Sequence, residues 1–124
     1  MDNNVKRILL IEDEKPLSMA LKRKLENDGF VVDTAFDGVE GLRRIQENEY
    51  ALVLLDLVMP NLDGFGVLSA VKASNKHIKI IVSSNLGQQE DIQKAKALGA
   101  IDYFIKIEHP LSDIVAIVKK YTSG

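Results

Sequence analysis

The chain of 124 residues is 46% hydrophobic and 27% charged, with a formal net charge of −2, which suits one globular domain and excludes a disordered chain. No face is obviously basic and no apolar run approaches the ~20 residues that span a bilayer, so neither direct nucleic-acid binding nor membrane insertion is expected. Without cysteine the chain has no disulfides or thiolate metal sites, and its polar N-terminus lacks a secretory signal, so we expect a cytoplasmic protein.

Short apolar runs alternate with amphipathic stretches along the chain. The runs lie at residues 8–11, 31–32, 51–55, 80–82 and 103–105. They are continuous and rich in β-branched residues and leucine, which is typical of strands buried on both faces. We therefore predict five strands.

The first two runs are followed by amphipathic helical patterns. Pro16 and Gly29 bound the first helix, whose apolar face is Leu17, Leu21 and Leu25. Asp37 and Glu40 resemble a capping box at the start of the second helix. The predicted buried face of this second helix consists of Val39, Leu42 and Ile45.

Three more helices complete the pattern. The third follows Asp63-Gly64 and carries Leu68 and Val71, and the fourth runs from about Gln88 to Leu98 before Gly99. The fifth starts near Pro110 and presents Leu111, Ile114, Val115 and Val118. Repeated β-then-α order predicts a (βα)₅ α/β fold with a parallel sheet, as one domain over residues 1–124 with an ordered core over about 5–121.

Polar side chains follow the strands at their carboxyl ends. Glu12 and Asp13 follow the first strand, Asp56 the third, Ser84 the fourth and Lys106 the fifth. Because these ends meet along one edge of a parallel sheet, three carboxylates, a hydroxyl and an ammonium group are expected to converge there.

This combination predicts magnesium-assisted phosphoryl chemistry. Three carboxylates beside one lysine repel each other unless a cation is present, and Mg²⁺ prefers carboxylate, water and phosphate oxygens. No histidine or cysteine lies near these positions in the sequence, which argues against zinc. A carboxylate can also act as the nucleophile that accepts a phosphoryl group.

The ordered motifs resemble the receiver domain of bacterial two-component response regulators, of the chemotaxis-regulator-like single-domain kind. The matching segments are residues 11–14, the Asp-Leu-Val-Met-Pro-Asn-Leu-Asp-Gly segment at 56–64, Ser84, and residues 99–106. The resemblance covers nearly the whole chain. It implies a doubly wound, flavodoxin-like sheet of five parallel strands in the order 2-1-3-4-5.

The resemblance also implies roles for the carboxylates. Asp56 resembles the phosphoacceptor, and Asp13 and Asp56 resemble direct ligands of Mg²⁺. The backbone carbonyl of Val58 resembles a further ligand, and Glu12 resembles an outer carboxylate that acts through water.

The remaining motif residues resemble the phosphoryl-binding and switch groups. Lys106 resembles the lysine that pairs with Asp56 and then with the phosphoryl group. Ser84 resembles the switch hydroxyl, which also contacts the phosphoryl group, and Tyr103 resembles the switch aromatic.

The sequence departs from the family pattern at two positions. Ile107 follows Lys106 where the family usually has proline, often after a cis bond; a non-proline cis bond costs about 2.5–4 kcal/mol, so a trans peptide is expected. Asn85 stands where a small residue usually follows the switch hydroxyl. Together with the apolar Val58 and Leu86, Asn85 is expected to control access of water to the site and to make autodephosphorylation slow.

The resemblance implies a signalling function. A histidine kinase or histidine phosphotransfer protein is the expected donor, and a downstream protein is the expected partner of the face formed by the fourth helix, fifth strand and fifth helix. No direct contact with nucleic acid or membrane is expected. The module would catalyse only its own phosphorylation and dephosphorylation, so it is not expected to be an enzyme in the usual sense.

Three alternative functions fit the sequence less well. An aspartate-nucleophile phosphatase needs a second aspartate two residues after the nucleophile, where this chain has Val58. A flavodoxin-like nucleotide or flavin binder needs a glycine-rich or hydroxyl-rich loop after the first strand, where this chain has Glu12-Asp13-Glu14-Lys15. A degenerate receiver that works by docking alone is disfavoured by the intact acidic set and Lys106.

Overall fold

Five strands alternate with five helices in the computed structural model, which describes residues 5–123. The strands are β1 (Arg7–Ile11), β2 (Val31–Ala35), β3 (Leu52–Leu55), β4 (Ile80–Ser84) and β5 (Asp102–Ile105). The helices are α1 (Lys15–Asn27), α2 (Gly38–Glu47), α3 (Gly64–Ala73), α4 (Gln89–Ala97) and α5 (Leu111–Thr122), and a one-turn 3₁₀ helix spans Lys106–Glu108. The ends of the predicted domain, residues 1–4 and 124, lie outside the described residues.

The strands form one parallel sheet in the order β2-β1-β3-β4-β5, which confirms the predicted fold. Ile11 at the end of β1 pairs with Leu55 at the end of β3, and Leu55 pairs with Val82 in β4. The residues that follow β1 and β3 therefore emerge side by side at the carboxyl edge of the sheet.

The sheet has a separate apolar core on each face because alternate residues of a buried strand point to opposite sides. Leu9 and Val53 belong to the core that contains residues of α2, α3 and α4. Ile8 and Leu52 belong to the core that contains residues of α1 and α5. None of the helices within residues 5–123 combines the length and the apolar character needed to cross a membrane.

The helix ends follow the signals found in the sequence. The Asp37 side chain accepts a hydrogen bond from the Glu40 N–H at 2.8 Å, and Glu40 accepts one from the Phe36 N–H at 3.1 Å. Gly29 and Gly99 follow α1 and α4 with φ angles of 94° and 112°, a backbone conformation that favours glycine.

The predicted buried face of α2 is wrong at Val39, which is 56% exposed. The prediction is confirmed at Ile45, and the other buried residues of this helix are Gly38 and Gly41. A Cβ atom at Gly41 would lie 2.5 Å from the Ile11 side chain, so the helix backbone itself packs against the sheet. This close approach turns Val39 towards solvent.

Candidate functional site

Three carboxylates meet where β1 and β3 end. The Asp56 N–H donates to the Ile11 carbonyl at 3.0 Å, which continues the pairing of the two strands beyond their last residues. One carboxylate oxygen from each of Glu12, Asp13 and Asp56 lies within 4.8 Å of the other two. Glu12 and Asp56 are buried and Asp13 is exposed, so the cluster extends from the interior to the surface.

Lys106 supplies the positive charge of this cluster. Its Nζ atom donates to Glu12 Oε1 at 2.8 Å and to Asp56 Oδ2 at 3.2 Å. The first turn after β5 brings the lysine to the same edge as the carboxylates, as the parallel topology predicted. One ammonium group facing three carboxylates leaves two negative charges unmatched.

The charges and burial of the cluster shift two pKa values. Burial raises the pKa of Glu12, and the negative charge of Asp56 raises it further, against the opposing effect of Lys106. For Lys106, burial favours the neutral amine, but the hydrogen bond to Glu12 and the charges of Asp56 and Glu12 outweigh it and raise the pKa. Lys106 is therefore held in its charged form.

The loop after β3 fixes the orientation of Asp56. Asp56 Oδ1 accepts the Leu57 N–H at 2.8 Å, so the carboxylate is held by its own loop on one side and by Lys106 on the other. Gly64, at the start of α3, packs so tightly that an added Cβ atom would lie 2.4 Å from the Asp56 carbonyl oxygen. The Asp-Gly pair at 63–64 thus both starts α3 and brings the helix against the aspartate.

The structure brings Ser84 and Tyr103 together through Leu86. Ser84 is fully buried at the end of β4, and its hydroxyl accepts the Leu86 N–H at 3.2 Å. The Tyr103 phenol donates to the Leu86 carbonyl, and burial raises the pKa of this phenol. The sequence pattern did not predict that one residue of the β4–α4 loop would contact both side chains.

A cleft of about 380 Å³ opens over Asp13 and Asp56. It is lined by Asp13, Glu14, Asp56, Val58, Ser84, Asn85, Leu86 and Lys106. The three residues expected to control access therefore lie at its walls, and Glu14, for which no role was predicted, lines the cleft as well. Val58 is 61% exposed at the rim.

The two departures from the family pattern are in contact. Asn85 Oδ1 accepts the Ile107 N–H at 3.0 Å. The Lys106–Ile107 peptide is trans, as predicted. Proline has no N–H, so this bond depends on a residue other than proline at position 107.

A larger cleft, of about 540 Å³, lies at the amino end of β4 and has no carboxylate in its wall. Its lysines are engaged with the backbone: Lys72 donates to the Ala97 carbonyl, Lys76 to those of Ile45 and Asn48, and Lys79 to that of Tyr121. These bonds satisfy carbonyl groups at helix ends. The larger cleft therefore lacks the charged cluster of the carboxyl edge.

Comparison with known proteins gives a consistent result. The response regulator receiver domain family matches residues 8–119. The transcriptional regulatory protein PrrA of Mycobacterium leprae is 36% identical over 121 residues, covering 96% of this chain and 52% of that protein. CusR of Escherichia coli K12, also a transcriptional regulatory protein, is 34% identical over 100 residues, covering 81% of this chain and 44% of that protein.

A solved structure extends the match to three dimensions. The receiver domain of the Francisella response regulator 1452 superposes with a TM-score of 0.88 at 28% identity, covering 94% of this chain and 96% of that one. This chain spans about half the length of the curated relatives it matches. By sequence, fold and the carboxylate cluster at the sheet edge, the chain belongs to the response regulator receiver domain family.

Proposed function

We propose that Asp56 accepts a phosphoryl group from a phosphohistidine on a partner kinase or phosphotransfer protein. Phosphoryl acceptance on an aspartate is the general function of receiver domains. The observation that carries the assignment to Asp56 is that its carboxylate lies 3.2 Å from the Lys106 ammonium and within 4.8 Å of carboxylate oxygens of Glu12 and Asp13, in the lining of an open cleft.

The proposed transfer moves one phosphoryl group in line. A carboxylate oxygen of Asp56 attacks the phosphorus, an O–P bond forms and the N–P bond of the phosphohistidine breaks. The imidazole nitrogen keeps the electron pair and takes up a proton. Lys106, released from its pairing with Asp56, then balances charge on the phosphoryl oxygens. Attack of water on the phosphorus later forms a new O–P bond and breaks the bond to Asp56, which releases inorganic phosphate and restores the Asp56 carboxylate.

The acidic cluster has the chemistry of a magnesium site. All three candidate donors are carboxylate oxygens, the ligand type that Mg²⁺ prefers. Asp13, Asp56 and the Val58 carbonyl are the proposed direct ligands, whereas Glu12 is buried and already paired with Lys106, which suits an outer position reached through water. When bound, Mg²⁺ would supply positive charge to the transferring phosphoryl group and relieve the repulsion among the carboxylates.

The switch residues offer a route from the site to a partner surface. Ser84 is proposed to donate its hydroxyl to the phosphoryl group, which would require its bond to the Leu86 N–H to change. Since Tyr103 holds the Leu86 carbonyl, movement of this loop would reach the face formed by α4, β5 and α5. This face is the proposed contact for a downstream protein.

Receiver domains as a family are signalling modules that interact with histidine kinases and effector domains. The relatives described above are transcriptional regulatory proteins about twice as long as this chain. The absence of direct nucleic-acid contact therefore stays a prediction for this chain, as do its cytoplasmic location and the self-catalysed character of its phosphorylation.

The decisive experiment is intact-mass measurement after incubation with acetyl phosphate and Mg²⁺. We expect wild type to gain the mass of one phosphoryl group and Asp56→Asn to gain none. Asp63→Asn is the matched control, because it also removes one carboxylate from the β3–α3 loop while asparagine can still cap α3. Labelling of Asp56→Asn at the wild-type level would overturn the assignment.

A further inference from the structure

The hydrogen bond between Asn85 and Ile107 continues the sheet beyond its last strand pair. β4 and β5 pair up to Ser84 and Ile105, so Asn85 and Lys106 are the next residues of the two strands. The strands part at this point, and the Asn85 side-chain oxygen takes the place of a backbone carbonyl as the acceptor. Two loops that each carry a site residue are thereby joined.

This bond restrains the first turn after β5. The Ile107 side chain is 80% exposed, so apolar packing contributes little to holding the turn in place. The first N–H groups of a helix have no partner within it, and Asn85 supplies one for Ile107 in the 3₁₀ helix Lys106–Glu108. Because an N–H must donate, the contacting atom of Asn85 is its carbonyl oxygen.

We propose that Asn85 is a positioning residue for Lys106. The peptide between Lys106 and Ile107 is planar, so fixing the Ile107 N–H fixes the orientation of the whole peptide group that follows the Lys106 Cα atom. The other side of Lys106 is held by the pairing of Ile105 with Ser84. Held on both sides, the lysine backbone directs its ammonium group to Glu12 and Asp56.

This inference rests on the proposed function, because a positioning role for Lys106 matters only if Asp56 accepts the phosphoryl group. It differs from a role of Asn85 as a passive wall of the cleft. If Asn85 were only a wall, its effect on labelling would depend on side-chain volume. In the positioning role, its effect depends on one acceptor oxygen. Two variants of similar shape therefore separate them: Asn85→Leu removes the acceptor, and Asn85→Asp keeps it.

The test combines two measurements on the same variants. Amide hydrogen exchange at Ile107 reports the bond itself, and the rate of labelling by acetyl phosphate, resolved into a maximal rate and a half-saturating concentration, reports the consequence. We expect Asn85→Leu to speed exchange at Ile107 by about 2- to 10-fold, the effect of one exposed hydrogen bond, and to lower the maximal rate at least about twofold. Asn85→Asp keeps the acceptor oxygen, so exchange at Ile107 should stay near wild type and the maximal rate should exceed that of Asn85→Leu. Its added charge should raise the half-saturating concentration of the anionic donor.

Gln88→Leu is the matched control, since it removes an exposed amide side chain that makes no capping bond at the start of α4. Labelling of Asn85→Leu at the wild-type maximal rate would overturn the positioning role and leave the proposed function standing. Unchanged exchange at Ile107 in Asn85→Leu would overturn it as well. Absence of labelling in wild type would overturn the proposed function, and the exchange data would still report whether the bond exists.

Discussion

Replacing Lys106 by methionine should destabilise the protein, and by more at neutral pH than in acid. Methionine keeps most of the length of the lysine side chain but removes the charge, so the change isolates the ion pairs. The Lys106, Glu12 and Asp56 side chains are only 10%, 3% and 7% exposed, so solvent cannot replace the lost partner effectively.

The magnitude follows from the two distances. At 2.8 Å and 3.2 Å, each pair gives roughly 5 kcal/mol of gross attraction at an effective dielectric constant of about 20. Desolvation of the ammonium group offsets several kcal/mol of that attraction. Loss of one partner from a buried pair typically costs about 3–5 kcal/mol, so we expect a loss of about 3 kcal/mol in the free energy of unfolding.

The pH dependence comes from Glu12. Its folded-state pKa already lies above the ordinary 4.5, so the folded protein binds this proton more tightly than the unfolded chain does. The contribution of Glu12 to the free energy of unfolding therefore falls as the pH rises from the ordinary pKa of 4.5 through the higher pKa of the folded state. Without Lys106, the hydrogen bond and the charge that lower the Glu12 pKa are gone, so the folded-state pKa rises further. The destabilisation caused by Lys106→Met should therefore be smaller at about pH 5 than at about pH 8.

The assay is urea unfolding followed by circular dichroism at both pH values, in EDTA so that no cation replaces the lysine. Lys96→Met is the matched control, because Lys96 is exposed on α4, and its cost should stay within about 0.5 kcal/mol. Adding Glu12→Gln to Lys106→Met should recover much of the loss at the higher pH. The reasoning would be refuted if Lys106→Met did not lower the free energy of unfolding at about pH 8, or if it lowered it more at about pH 5 than at about pH 8.

Two further predictions concern the metal and the phosphorylated state. Asp13→Ala should weaken Mg²⁺ binding far more than Glu12→Ala, because a proposed direct ligand loses a coordinate bond and an outer carboxylate loses a contact through water; equal losses in a calorimetric titration would contradict the ranking. Val58 and Leu86 line the cleft and neither side chain can orient a water molecule, so phospho-Asp56 should be long-lived in excess Mg²⁺ after donor removal. Val58→Asn and Leu86→Lys should each shorten its life; decay of wild type within seconds, or unchanged rates in both variants, would count against this explanation.

The fold and the convergence of the site were predictable because each depends on local signals and one topological rule. Strands buried on both faces leave continuous apolar runs, and the helix ends carry single-residue marks such as Asp37 and Gly99. Once a parallel sheet is predicted, any residue that follows a strand lies at the same edge. Asp56 and Lys106 could therefore be placed together although 50 residues separate them.

Three of the contacts near the site that escaped prediction involve backbone groups. Asn85 binds the Ile107 N–H, and Ser84 and Tyr103 both bind backbone groups of Leu86. Almost every residue carries a backbone N–H and a carbonyl, so the sequence does not indicate which of these groups a polar side chain will bind. Such contacts depend on the distance and orientation between two loops, and the pattern of residue types does not predict either of them directly.

The close packing at the start of α2 can be tested by comparing two glycines that both contact Leu62. A Cβ atom at Gly38 would lie 1.9 Å from the Leu62 carbonyl oxygen, so Gly38→Ala forces backbone apart. A Cβ atom at Gly66 would lie 2.4 Å from Leu62 Cδ1, the far end of a side chain that can rotate away. We therefore expect Gly38→Ala to cost about 2 kcal/mol or more in urea unfolding, and the matched Gly66→Ala to cost much less, since alanine also favours the helix.

Because Leu62 lies in the loop that carries Asp56, the displacement at Gly38 should also slow phosphoryl labelling, whereas Gly66→Ala should leave the rate near wild type. Equal costs for the two variants would show that the loop moves aside without strain. A destabilised Gly38→Ala that is labelled at the wild-type rate would show instead that the geometry of Asp56 is set by its bonds to the Leu57 N–H and to Lys106, independently of the contact between α2 and the loop.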